Sequence, residues 1–361
     1  MKNCKNISVV GIDLAKKIFT IYATDKAGNK VGKGKMSKTE LLRWLVNLPA
    51  CTVGMEACGG ANYFARVIGE MGHTVKLMAP NHVTPYITGN KDDERDAEGI
   101  CEAVTRPRMK FVAPRTTVQQ QIQAWHRIRS SMIRERTKLI NEMRAVAYEF
   151  GFVLPKGFSG FRKKMEEVFA GKHEAMIGLI FEDLLLMWNH LCKIQEVIRQ
   201  YEDKLKHLFV TNDACQRLSK IPGVGKITAT AIIAIGDLRR FSSSRDFAAW
   251  LGLVPKHVGT GGKVQMLGIS KRGDRYLRYL LVHGGRAVVS SAHSKKDALS
   301  VWITRLKERA GMNKASVAMA HKNARIIWGM MTKGDIYRAK ERTGQEAVFE
   351  KAGGALPTGI R

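Results

Sequence analysis

Hydrophobic and polar positions change their period along the chain. In the first hundred residues, short β-branched and apolar runs predict strands in ISVVGIDLA, KIFTIYATD, VGKGKM, CTVGMEA and HTVKLMAP. Helical spacing appears in SKTELLRWLVNL, which opens with a capping box, and in GANYFARVIGEMG and DDERDAEGICEAVTR. Three antiparallel strands followed by alternating helices and strands predict an α/β sheet domain over residues 1–110.

The middle of the chain takes a helical period. Apolar residues recur at helical spacing from about Arg115 to Phe150, and a second helical stretch runs from about Glu174 to Phe209. GFVLPKGFSGF joins the two stretches. The pattern predicts a long antiparallel helical hairpin, or coiled coil, over residues 111–212, which serves as a spacer or an assembly arm.

The last third is predicted to be mostly helical, over residues 213–335, with a loosely structured tail at 336–361. LSKIPGVGKITATAIIAIG places a glycine-containing turn between two apolar helical segments, as in a helix-hairpin-helix element. In such a turn Gly223 and Gly225 let backbone N–H groups approach a DNA phosphate, with Lys226 nearby. An ordinary tight interhelical turn is the alternative.

Charge indicates the class of partner. The chain has 361 residues, with 60 Lys and Arg against 32 Asp and Glu, a net charge of +28. Such an excess, spread through folded segments, favours nucleic acid as the partner over a membrane surface. A protein that binds a membrane surface more often gathers its cations on one amphipathic helix. Residues 251–361 hold 21 Lys and Arg and 7 Asp and Glu, a net of +14, so the C-terminal part is the expected phosphate-contacting region.

Cysteine usage and hydropathy indicate the compartment. The six cysteines form no CxxC pair, and no histidine cluster completes a zinc pattern, so we expect reduced thiols. The N-terminus runs into a strand pattern rather than a signal peptide, and no apolar run approaches the ~18 residues of a membrane span. We expect a cytoplasmic protein without a membrane partner.

Four acids are placed as phosphoryl-transfer chemistry requires. Asp13 and Glu56 end predicted strands, in GIDLAK and GMEACGG, while Asp93 and Asp96 share a face at a helix start. Clustered carboxylates repel unless a cation neutralises them, and their hard oxygens suit Mg²⁺ or Mn²⁺. Taken singly, each acid is an ordinary polar strand end or solvated helix start.

Thr260 lies between glycines in VPKHVGTGGKVQMLGISKRGDRYLRYLL, where spacing alone indicates only a loop residue. The cations around it favour the binding of a phosphate. Arg275 and Arg278 are three residues apart on a predicted helix, and they either clamp that phosphate or form a generic DNA-facing surface. The surrounding cations are Lys263, Lys271, Arg272, Arg275 and Arg278.

Several motifs in order resemble one family. GIDLAK, GMEACGG and NKDDERDAEGI, then IPGVGKITA, FAAWLGLVP and GISKRGDRYLRYLL, are similar to the DEDD transposases of the IS-one-ten and IS-eleven-eleven insertion sequences, relatives of the Piv DNA invertases. The resemblance covers nearly the whole chain.

The resemblance implies a ribonuclease-H-like or RuvC-like N-terminal domain and an active site for DNA transposition. It gives Asp13, Glu56, Asp93 and Asp96 as the DEDD set holding Mg²⁺ (or Mn²⁺), and a C-terminal hydroxyl as the nucleophile that bonds covalently to DNA. It also implies a homo-oligomer, dimer or tetramer, with composite active sites, and a noncoding guide RNA that pairs with donor and target DNA. A bacterial, nucleoid-associated protein follows.

The sequence departs from the family at the nucleophile. Where the family offers Ser before Gly, this chain has Thr260, whose extra methyl crowds the approach and stiffens χ1. Thr260 is the expected nucleophile, and Ser270 in GISKRG is the second candidate. The third alternative is that this copy is impaired or never uses a protein nucleophile. Two other functions stay open: a metal-dependent nuclease of the Holliday-junction-resolvase type, and a non-catalytic nucleic-acid-binding protein.

Overall fold

The computed structural model describes residues 6–89, 92–171, 180–261 and 263–338. The chain divides into two compact units, one ending at Gln120 and the other beginning at Gln121. The boundaries predicted at 110, 212 and 335 do not coincide with this division, and the subdivision of the second unit remains a prediction.

The first unit is built on a six-stranded sheet with the order β3-β2-β1-β4-β5-β6. Strands β1, β4 and β5 are parallel, whereas β2, β3 and β6 join antiparallel. This mixed sheet is compatible with a ribonuclease-H-like fold, and the predicted meander is confirmed. The strands are β1 Val9–Asp13, β2 Ile18–Thr24, β3 Lys30–Ser37, β4 Thr52–Glu56, β5 Thr74–Met78 and β6 Phe111–Val112.

In the described part of the first unit, four α-helices accompany this sheet. They are α1 Lys38–Val46, α2 Ala61–Glu70, α3 Pro80–Val83 and α4 Asp93–Val104. The capping box at α1 is confirmed: Glu40 N–H donates to the Ser37 hydroxyl, and the Ser37 N–H donates to the Glu40 carboxylate. The two-residue strand β6 is an addition to the prediction, because so short a segment carries no hydrophobic period.

Helix α4 lies unusually close to the sheet, over two glycines. Gly11 and Gly54 are paired in register across β1 and β4. A Cβ on Gly11 would lie 2.3 Å from the Ala97 carbonyl oxygen, and one on Gly54 would lie 2.9 Å from the Val104 Cβ. Only glycine at these positions allows the helix to pack this closely on the strands.

Three helices form the first part of the second unit: α5 Thr117–Glu149, α6 Phe158–Phe169 and α7 Phe181–Thr211. Helices α5 and α7 run antiparallel, since Arg129 contacts Glu202 while Arg136, further along α5, donates to Gln195, earlier on α7. The predicted connector is partly wrong, because its last residues begin α6. That helix turns Phe161, Met165 and Val168 into a buried cluster. Residues 174–179, predicted to begin α7, lie outside the described residues.

The rest of the second unit is mainly helical. It contains α8 Asp213–Leu218, α9 Lys226–Ile233, α10 Ser244–Trp250, β7 Pro255–Thr260, β8 Lys263–Ile269, α11 Arg275–Ser291 and α12 Ala298–Lys333, the last interrupted at Gly311. Buried side chains of α8 to α12 form one core, which includes Ile232, Phe247, Leu281 and Ile327.

Two further predictions concern the end of the chain and the membrane. Residues beyond Lys333 have no regular structure up to 338, and the rest of the predicted tail, 339–361, lies outside the described residues. Across the described parts of the chain, every helix is too short or too polar to cross a bilayer.

Candidate functional site

Two of the predicted acids meet at one edge of the sheet. Because Ile12 is paired with Met55 in the parallel β1–β4 ladder, the next residues, Asp13 and Glu56, end neighbouring strands side by side. Each carboxylate is two residues beyond a glycine that lies under α4, so both lie on the α4 face of the sheet. Both residues are half-buried.

Helix α4 brings Asp96 to the same face. Its neighbour Ala97 lies on Gly11, two residues before Asp13. The Asp96 Oδ1 atom is buried and has no hydrogen-bond partner among the described residues. A buried carboxylate oxygen of this kind favours a cation as its missing partner.

Asp93 lies on the outer side of the helix start. Its carboxylate is 3.5 Å from the Lys35 ammonium, and the neighbouring Glu94 contacts Lys33. Lys35, Thr20 and Asp13 occupy one row across β3, β2 and β1. Within the described ranges, three or more His, Cys, Asp or Glu side chains nowhere gather closely enough to hold a metal ion.

The side chains around the acids show how they affect one another. The pKa of the Cys58 thiol is raised by burial first, and then by the negative charges of Glu56 and Asp13. Both carboxylates therefore act electrostatically on the same thiol. Burial and a hydrogen bond to Glu98 raise the pKa of Tyr22 to about 12. Sequence reasoning missed Tyr22, Lys35 and Glu98, because nothing in the local pattern links them to the acids.

The second unit carries Thr260 on a β-hairpin rather than in a loop. Thr260 is the last residue of β7 and pairs with Lys263 at the start of β8. Gly261, next to it, has φ 57°, a left-handed conformation that suits a tight hairpin turn. The described residues of both strands are exposed apart from the last residue of β8.

The segment between β8 and α11 is held against the core. Ser270 N–H donates to the Val254 carbonyl at 2.8 Å, and Lys271 has φ 55°. The Ser270 hydroxyl oxygen is buried, without a hydrogen-bond partner in the described part of the chain. Lys271 and Arg272 are exposed.

The two predicted clamp arginines differ in their surroundings. Arg275 and Arg278 both lie in the first turn of α11, as predicted. Arg278 donates to the carbonyl oxygens of Leu251 and Arg272, at 2.8 and 2.7 Å, which ties the helix to the preceding segment. Arg275 is exposed.

The predicted helix-hairpin-helix turn lies between α8 and α9. Gly223 has φ 83°, and a Cβ there would lie 2.6 Å from the Gly284 carbonyl oxygen, so this glycine packs on α11. Asn323 of α12 donates to the Pro222 carbonyl at 2.8 Å and fixes the turn from the other side. Gly225 and Lys226 remain exposed at the start of α9.

Comparison with known proteins decides the family. The DEDD IS110 model, described as "Transposase", matches residues 10–150, which include the four acids. A second model, "Transposase IS116/IS110/IS902 family", matches residues 215–299, which include Thr260 and α11.

Three relatives match over almost their whole length. A "Probable family 20 transposase" of Pseudomonas aeruginosa is 41% identical over 92% of this chain and 99% of its own. The "Transposase for insertion sequence element IS1328" of Yersinia enterocolitica is 40% identical over 92% and 99%, and that for IS1111A of Coxiella burnetii is 38% identical over 93% of each chain. The chain belongs to the IS110 family of transposases.

Family membership confirms the resemblance that the motifs indicated. The chain is an enzyme that cleaves DNA and transfers its strands. Asp13 and Glu56 end neighbouring strands of the sheet, and Asp96 lies on the helix that covers the same face. DEDD transposases are typically metal-dependent. The residue roles themselves belong to the proposal that follows.

Proposed function

We propose that this transposase cuts and rejoins the ends of an insertion sequence through a metal-bound DEDD set and a covalent Thr260–DNA link. The observation that supports it most is that Asp13 and Glu56 directly follow the last registered pair of the β1–β4 ladder. On the same face of the sheet lies the Asp96 Oδ1 atom, which is buried and has no hydrogen-bond partner among the described residues. Carboxylates on one face repel one another, and a divalent cation bound among them would offset that repulsion.

Asp13, Glu56 and Asp96 do not lie closely enough together in this structure to hold an ion, so they would close around Mg²⁺ or Mn²⁺ on binding, with Asp93 joining them by leaving Lys35. The exposed Asp93–Lys35 pair is weak, about 0–1 kcal/mol, so releasing it costs little. A bound divalent ion would neutralise negative charge on the scissile phosphate.

Thr260 supplies the nucleophilic oxygen. That oxygen bonds to phosphorus, a deoxyribose oxygen leaves, and the hydroxyl proton passes to the leaving oxygen directly or through water. The protein–DNA phosphodiester preserves the bond for rejoining without an added energy source. Ser270 is disfavoured in this role because its hydroxyl is buried.

The cations divide into two roles. Exposed charges contact phosphates and position the strand. Arg278 is a positioning residue for α11, because its guanidinium donates hydrogen bonds to two backbone carbonyl oxygens. The exposed set comprises Lys226, Lys263, Lys271, Arg272 and Arg275, with the backbone N–H groups after Gly225.

A guide RNA and a homo-oligomer complete the proposal. A net charge of +28 suits a protein that holds an RNA and two DNA duplexes together. Mixing variants tests the composite site: inactive Asp13→Asn and inactive Thr260→Ala subunits, combined, regain cleavage only if one subunit's acids serve the other's hydroxyl.

A covalent-trapping experiment tests the chemistry. Purified protein, Mg²⁺, element-end DNA and the transcribed flanking RNA are mixed and denatured in detergent, and the protein-bound DNA is mapped by mass spectrometry. We expect an adduct on Thr260. An adduct on Ser270 moves the nucleophile, whereas cut DNA without an adduct favours the metal-dependent nuclease, and no cutting favours a binding protein.

Asp13→Asn tests the metal set. Losing one carboxylate removes several kcal/mol of transition-state stabilisation, so we expect cleavage to fall about a thousandfold while DNA binding is retained. Asp203→Asn, an exposed acid on α7, is the matched control and keeps full activity. Equal cleavage by Asp13→Asn and wild type would refute the metal site.

A further inference from the structure

Helix α11 carries an aromatic pair on its exposed face. Tyr279 is 55% exposed, and its ring lies 4.5 Å from the His283 ring, centroid to centroid, with 51° between the planes. Exposed rings in contact on a helix surface are not explained by core packing, since the buried face of α11 is formed by Leu277, Leu281 and Val289.

Two arginines flank this pair. At 3.6 residues per turn, Arg275, Tyr279, His283 and Arg286 fall within an arc of about 80° on the helix. All four are exposed, and Arg286 donates to Asn313 at 3.1 Å, which fixes its position at the far end of the row. The arginines are about 16 Å apart along the axis, a span of a few nucleotides.

The charge of the helix is one-sided. Residues 275–291 contain three arginines and neither Asp nor Glu. A row of cations that encloses aromatic rings is complementary to a polyanion with flat, apolar faces, which describes an unpaired nucleic-acid strand. Base faces in a duplex are covered by their neighbours, so only an unstacked base can lie on these rings.

We propose that Tyr279 and His283 form a stacking site for an unpaired DNA base, with Arg275 and Arg286 on the flanking phosphates. The site rests on the proposed function, in which strands leave one duplex and join another. We assign DNA as the occupant because α11 is the next helix after the hairpin that carries Thr260, the proposed DNA nucleophile. Residues 270–274 alone connect β8 to α11.

Binding of a short labelled oligonucleotide tests the site. Full-length protein is titrated against single-stranded DNA, a duplex and single-stranded RNA of one sequence, each with a 2-aminopurine whose fluorescence falls on stacking. Tyr279→Ala should weaken single-stranded DNA binding about tenfold and abolish the quenching, since stacking contributes about 1–3 kcal/mol per base. Duplex affinity should change less than about twofold, because phosphate contacts dominate it.

Matched variants separate stacking from charge and folding. Tyr279→Phe keeps the ring and should bind as wild type does. Tyr148→Ala removes another exposed tyrosine, on α5, and should have no effect. Arg286→Ala should weaken every nucleic acid and lower the salt dependence. Unchanged quenching in Tyr279→Ala overturns the proposal, and a larger loss for RNA than for DNA assigns the site to RNA instead.

The inference and the proposed function fail separately. Asp13→Asn, which is expected to lose cleavage, should retain the quenching. Cleavage without any effect of Tyr279→Ala refutes the stacking site alone. Quenching that depends on Tyr279 in a protein that never cleaves leaves a single-strand-binding site and refutes the proposed chemistry.

Discussion

The acid-bearing edge of the sheet and the Thr260 hairpin are built in opposite ways. Asp13 and Glu56 extend strands whose interior residues are buried and covered by α4. The β7–β8 hairpin is a two-stranded sheet by itself, and it exposes apolar side chains, among them Val258 and Val264. Two strands alone are marginally stable in water, so little burial fixes the hairpin's shape.

The difference matches what the proposed function requires of the metal-binding acids and of the Thr260 nucleophile. Carboxylates that share a metal must be held in fixed positions, because coordination distances tolerate little error. A hydroxyl nucleophile must instead reach a phosphate on a large substrate, and an exposed ribbon can adapt to it. Substitutions under α4 should therefore damage both stability and activity, whereas substitutions on the hairpin should spare stability.

Gly11→Ala gives the largest expected effect on stability. The added Cβ would lie 2.3 Å from the Ala97 carbonyl and 2.6 Å from the Cys101 nitrogen, so α4 must move away from β1. We expect a loss of about 3 kcal/mol in the free energy of unfolding, measured by denaturant titration, together with loss of cleavage as Asp96 shifts.

Gly69→Ala is the matched control. Gly69 is in α2, and a Cβ there has nothing within 4 Å. Alanine should stabilise that helix by about 0.5–1 kcal/mol and leave cleavage unchanged. If the two variants behave alike, the close packing of α4 on Gly11 does not hold the acids in place.

The second unit is not loosely built throughout, and pH reveals its fixed part. His126 of α5 is buried; its Nδ1 lies 3.1 Å from the Tyr276 hydroxyl and its Nε2 3.2 Å from the Thr230 hydroxyl. Burial, and then the charge of Arg129, lower the pKa of His126 from 6.5 to about 4. This network joins α5 and α9 to the first turn of α11.

The sign follows from the direction of that shift. The unfolded chain binds a proton at His126 more readily than the folded chain does. The stability contributed by neutral His126 is therefore complete above pH 6.5 and is lost as pH falls toward 4. At pH 5 the loss is about 2 kcal/mol relative to pH 8. Urea unfolding of His126→Gln should lack this part of the pH dependence, and an unaltered slope would contradict the assignment.

Sequence reasoning found the acids because their signal is local. Gly11-Ile12-Asp13 and Gly54-Met55-Glu56 each place a carboxylate two residues after a glycine at a strand end, and a strand alternates with a period of two. Lys35 beside Asp93 and Gly284 against Gly223 depend instead on residues about 60 apart, which no local pattern encodes.

The hairpin was missed for a related reason. Strands exposed on both faces need no apolar alternation, and β8, KVQMLGI, keeps it only over its first four residues, too short a run to predict a strand. The turn signal was nevertheless present in the glycines that follow Thr260, which suit a two-residue hairpin turn. Burial, not strand formation, is what hydrophobic periodicity reports.

Val264→Thr gives the smallest expected effect and tests the exposed state of the hairpin. Val264 of β8 is 66% exposed, and Thr keeps its β-branched shape, so the free energy of unfolding should change by less than about 0.5 kcal/mol. Val53→Thr makes the same change at a fully buried position of β4, where an unpaired hydroxyl costs about 1–3 kcal/mol. Both are measured by urea titration at several protein concentrations. If Val264→Thr lowers the free energy of unfolding as much as Val53→Thr does, and lowers it more at higher protein concentration, the hairpin is buried against a second copy of the chain. The exposure that distinguishes the hairpin from the acid-bearing edge then belongs to the isolated subunit alone.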